Sequence, residues 1–62
     1  MNKHLVRILA AIAAAQTRVE AMRAHNLYCE MIGDTKIYAE LAFMAEAALL
    51  ELLSIEAREM PN

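Results

Sequence analysis

One glycine divides this chain. Between Lys3 and Ile32 there is neither Gly nor Pro, and none again from Asp34 to Met60; Gly33 and Pro61 are the only residues of their kinds. Both stretches are rich in Ala, Leu, Met, Arg and Glu, which lose little side-chain freedom in a helix. The expected structure is all-α: a helix over about residues 3–32, a turn at Gly33 and Asp34, and a helix over about 35–59 that stops before Pro61. Gly33 supplies the left-handed backbone that ends the first helix, and Asp34 is a strong N-cap for the second. So short a turn folds the helices back antiparallel as a hairpin. The rival is one long helix kinked at Gly33 within an extended dimer.

Apolar spacing predicts which faces meet. Leu5, Ile8, Ile12, Ala15, Val19, Met22, Asn26 and Cys29 alternate steps of three and four, the seam of a helix packed along its length. On the second helix Tyr38, Leu41, Ala45, Ala48, Leu52 and Ile55 follow the same rule and are the expected partner seam. Asn26 then reads as a register-setting polar residue, and Cys29 as a small hydrophobe near the turn.

Apolar side chains remain outside both seams. Ala39, Phe43, Leu50 and Ala57 form a second row on the second helix, flanked by Met44 and Leu53; Val6, Ala10, Ala13, Leu27, Tyr28 and Met31 lie off the seam of the first. A hairpin has one internal interface, so a surplus of this kind marks an interaction surface. Phe43, Met44, Leu50 and Leu53 are the expected partner-binding residues, with Phe43 the aromatic anchor. The occupant is either another helical protein or a second copy that completes a four-helix bundle.

Length supports the need for a partner. A chain of 62 residues makes a single domain, and one this small buries only about 60% of its unfolded surface. Its lone cysteine provides no intrachain disulfide and no Cys-based zinc site, which favours a reducing compartment or a partner-dependent fold. No catalytic residues are expected, because so few residues make one layer of helices and no walled pocket. His25 and Cys29 share a helix face at four-residue spacing, but no second pair completes a metal site, and no cofactor is expected.

Charge is split between the halves. Residues 1–33 carry four basic side chains against two acidic ones, and residues 34–62 carry two basic against six acidic. Opposite signs favour antiparallel pairing, although surface pairs orient more than they stabilise. The basic residues of the first helix form no continuous stripe, so nucleic acid is not an expected partner. A basic start followed by Ile8–Ala15 superficially resembles a signal peptide, but most of that run is alanine and cleavage would leave too little chain for two matched helices. No run approaches the ~20 apolar residues of a membrane span.

The segment Gly33-Asp34-Thr35-Lys36-Ile37-Tyr38, with the Ala- and Leu-rich amphipathic stretch that follows to Ile55, resembles the small hairpin co-chaperones of bacterial type III secretion needle subunits. The resemblance implies a cytosolic, non-enzymatic protein that binds a helical-repeat chaperone, the two together keeping the needle subunit monomeric. A small phage-type hairpin that inhibits a host factor, or a homodimeric four-helix-bundle regulator, would show the same surplus surface.

Overall fold

The computed structural model describes residues 2–61. Two helices, α1 (Lys3–Met31) and α2 (Glu40–Glu59), pack against each other as an antiparallel hairpin measuring 48 × 18 × 10 Å. Asn2 begins α1 by accepting hydrogen bonds from the His4 and Leu5 amides at 2.9 and 3.3 Å, an N-cap that satisfies donors left free by the helix. Its side-chain nitrogen also donates to the Pro61 carbonyl at 3.0 Å, so one asparagine caps α1 and holds the far end of the chain.

At the other end Gly33 adopts φ 74°, the only positive value among the described residues. The Asp34 amide returns to the Cys29 carbonyl at 2.8 Å, and the Gly33 amide to that of Glu30 at 3.2 Å. This nested pair is the Schellman arrangement, and it satisfies carbonyls that the last turn of α1 would otherwise leave open.

The connection is longer than the predicted turn. Residues 32–39 lie outside both helices, and α2 starts at Glu40 with Ala39 as an N-cap that makes no side-chain bond. Asp34 therefore does not cap α2; its carboxylate accepts from the Thr35 amide at 2.8 Å within the loop. Nor does Tyr38 belong to α2. Its backbone N–H donates to Asn26 Oδ1 at 3.0 Å while its carbonyl accepts from Asn26 Nδ2 at 2.8 Å. These bonds tie the Tyr38 backbone to α1 and hold the approach to α2.

On α1 the buried residues are Ile8, Ala15, Met22 and Cys29, one per heptad, with Leu5, Ile12, Val19 and Asn26 half-buried between them. On α2 the half-buried row is Phe43, Glu46, Leu50, Leu53, Ala57 and Met60, again at steps of three and four. These two rows are where the helices pack against each other.

Candidate protein-binding surface

The α2 seam corrects the sequence reading. Phe43, Leu50 and Leu53, expected to be free for a partner, lie in the half-buried row, whereas Leu41 and Leu52, expected inside, are 75% and 66% exposed. Ile55 and Tyr38 are also exposed, the latter from the loop. Met44 alone of the expected partner residues is on the surface, at 57%. The two rows of α2 have the same period, so spacing does not distinguish them. Three physical differences do. The inner row contains the largest side chain of the helix, Phe43, and reaches one turn further, to Met60; the outer row loses Tyr38 to the loop.

The third difference is Glu46. An acid in a seam is costly unless its oxygens are paired. Here both are taken: Arg18 donates from Nε to Oε1 and from Nη2 to Oε2, each at 3.1 Å. The hydrogen bonding to Glu46 holds the Arg18 guanidinium above its ordinary pKa; loss of solvent opposes this, and the carboxylate's charge adds to it in smaller measure. The fork fixes geometry as well as charge, so it sets the level at which α2 meets α1. Two longer pairs lie toward the ends of the hairpin. His4 Nε2 is 3.6 Å from Glu56 near the open end, and Lys36 Nζ is 3.7 Å from Glu30 beside the turn.

Between the helices, on one side of the hairpin, runs an open groove of about 500 Å³ lined by Arg18, Ala21, Met22, Tyr38, Ala42, Ala45 and Glu46. Three of its seven lining residues are alanine, and the Arg18–Glu46 pair crosses it. Positions seven apart on a helix differ by only about 20° around the axis. The same side therefore continues along α1 from Ala21 to Ala14 and from Arg18 to Ala11, and along α2 from Ala42 to Leu49 and from Ala45 to Leu52. The result is a broad apolar face, with a small-residue row on α1 and larger exposed side chains on α2. The opposite groove, lined by Gln16, Val19, Glu20, Arg23 and Leu50, carries charges along its α1 wall.

His25 is exposed and meets the Tyr38 ring edge-on, with centroids 5.9 Å apart. Cys29 is buried in the seam. The two do not form a shared surface site, and no group of three or more His, Cys, Asp or Glu among the described residues is arranged to hold a metal ion. Among those residues no helix is long and apolar enough to cross a membrane. Two features escaped the sequence reading: the Asn2 cap, signalled by an asparagine just before the helical stretch, and the Arg18–Glu46 fork, signalled only by opposite charges whose register depends on the loop length.

No protein-family model matches the chain, and neither curated proteins nor solved structures provide a match.

Proposed function

We propose that this protein is a non-catalytic helix-binding module that presents the alanine-walled face of its hairpin, with Leu41, Leu49 and Leu52 on α2, to another helical surface. The observation that supports it most is the exposure of Leu52 at 66% in the middle of a row of apolar side chains, on a helix whose other apolar row is already occupied by α1. Burying one such leucine is worth about 1.5–3 kcal/mol. An amphipathic helix or helical groove is the natural complement, because its side chains repeat at the same spacing.

The resemblance of residues 33–55 to needle-subunit co-chaperones gives the reading its most specific heterologous form, in which a cytoplasmic helical-repeat chaperone receives this face of α2. Affinity capture with a tagged bait tests the reading, using a purified untagged copy and an extract of the source cell as two separate prey. Wild-type protein is expected to retain a helical partner that Leu52→Glu bait releases. Capture of neither prey in a Leu52-dependent way would overturn it.

A further inference from the structure

Starting from that reading of the apolar face, we infer that its occupant is a second copy of this chain, docked so that α1 of each protomer lies antiparallel on α2 of the other, with both turns at the same end of a four-helix bundle. Area is the first argument. The chain exposes 4904 Å². A compact monomer of its 6.9 kDa mass exposes about 4,000 Å² by the usual scaling, so roughly 900 Å² is in excess. A stable interface of standard size takes about 800 Å² from each partner. A single face-to-face contact between two hairpins removes an amount of that order.

Shape is the second argument. On this face the α1 wall carries the exposed alanines Ala11, Ala14 and Ala21 around Arg18, whose guanidinium is tied to Glu46, while α2 offers Leu49 and Leu52 at 39% and 66% exposure. Small residues admit a close helix, and large ones need a recess to enter. Within one hairpin both walls look the same way and cannot meet. In a pair related by a two-fold axis along the helices, each leucine wall faces the partner's alanine wall, and the interface is self-complementary as such symmetry requires.

Charge selects this arrangement over the other two-fold. α1 carries Lys3, Arg7, Arg18 and Arg23 against Glu20 and Glu30, whereas α2 carries five glutamates against Arg58. An axis across the helices would stack α2 on α2 and bring the acidic helices together. An axis along them alternates basic and acidic helices round the bundle. It also sets Arg7, one heptad beyond Ala14 on the same side, against the partner's Glu56 and Glu59, one heptad beyond Leu49 and Leu52. All neighbouring helices are then antiparallel, as in an up-down-up-down bundle.

Sedimentation equilibrium on the unmodified chain, together with spin-label distances from Thr35→Cys in a Cys29→Ala background, tests the inference. The expected results are a wild-type dimer, association weakened by about tenfold or more in both Leu52→Glu and Ala14→Glu with helicity retained, and short distances between the two turn labels. A dimer whose labels stand apart by about the 48 Å length of the hairpin would overturn the arrangement. Dimers that persist in both face variants would overturn the face itself, and the functional reading with it. A wild-type monomer at every concentration would overturn the second copy alone, since a Leu52-dependent heterologous partner in the capture experiment would still support the binding module.

Discussion

The side chain of Asn26 makes both backbone hydrogen bonds of Tyr38, accepting from its N–H at 3.0 Å and donating to its carbonyl at 2.8 Å. The amide imitates a neighbouring strand. It sits at a half-buried seam position of α1, twelve residues before the peptide it holds, and thereby fixes where the chain leaves the loop for α2. Tertiary pairing has replaced the first helical turn that Asp34 could have capped.

Replacement of Asn26 by Ala leaves the Tyr38 amide and carbonyl without these partners. The expected loss is about 1–3 kcal/mol of unfolding free energy, the scale for two hydrogen bonds of which one end is partly buried. Amide exchange gives the specific readout: Tyr38 should lose protection in the variant, while amides in the middle of α1 change only with global stability. Unchanged protection at Tyr38 would show that the loop is held by other means.

Gly33 offers a cleaner separation of backbone from packing. A Cβ built there meets nothing within 4 Å, so a substitution costs only the φ of 74°. Gly33→Ala is expected to destabilise by about 1–2 kcal/mol. A D-alanine at the same position, introduced by chemical synthesis, prefers positive φ and removes freedom from the unfolded chain, so its melting temperature should equal or exceed that of the parent. A D-alanine protein as unstable as the L-form would point to a clash rather than to backbone preference.

The α1 face was legible in the sequence because only one row on that helix runs unbroken at the required spacing from Leu5 to Cys29. The α2 face was not. Its outer row, Leu41 to Ile55, contains no charge, whereas the true seam is interrupted by Glu46, and periodicity gives priority to the uninterrupted row. What rescues Glu46 is a guanidinium on the other helix, a relationship set by the loop and therefore invisible to local pattern. The turn misled in the same way: Gly33 ends α1 as its chemistry demands, but Asp34 as a cap competes with Asn26, and the long-range pair prevails.

Packing on the corrected seam predicts an asymmetry between adjacent residues. Phe43 is half-buried against α1, and Phe43→Ala should cost about 2–4 kcal/mol, near the lower part of the range for buried aromatics. Met44, 57% exposed, should tolerate alanine within about 0.5 kcal/mol. Urea unfolding of the two variants at equal protein concentration decides it; a larger loss for Met44→Ala would return the faces of α2 to the opposite assignment.

Glu46 is a seam residue whose pairing with Arg18 is expected to set register more than to add stability. Replacing a paired seam carboxylate with an apolar residue of similar size is often neutral or stabilising, because desolvation of the charge disappears. Glu46→Leu should therefore hold or raise the melting temperature, whereas Glu46→Gln, which keeps the polar burial and discards the charge, should lower it. The wild-type fork should also confer a salt dependence that Glu46→Leu lacks, since the Arg18 end of the pair is open to solvent and screened. Register is read separately: a nitroxide on α2 broadens a narrow set of α1 resonances in the wild type. In Glu46→Leu, with a second leucine able to occupy the seam one heptad turn away, that set should widen as the helices sample alternative levels. A Glu46→Leu protein that is less stable and equally well registered would mean that the Arg18 fork contributes net free energy and that Asn26 with the loop specifies the alignment alone.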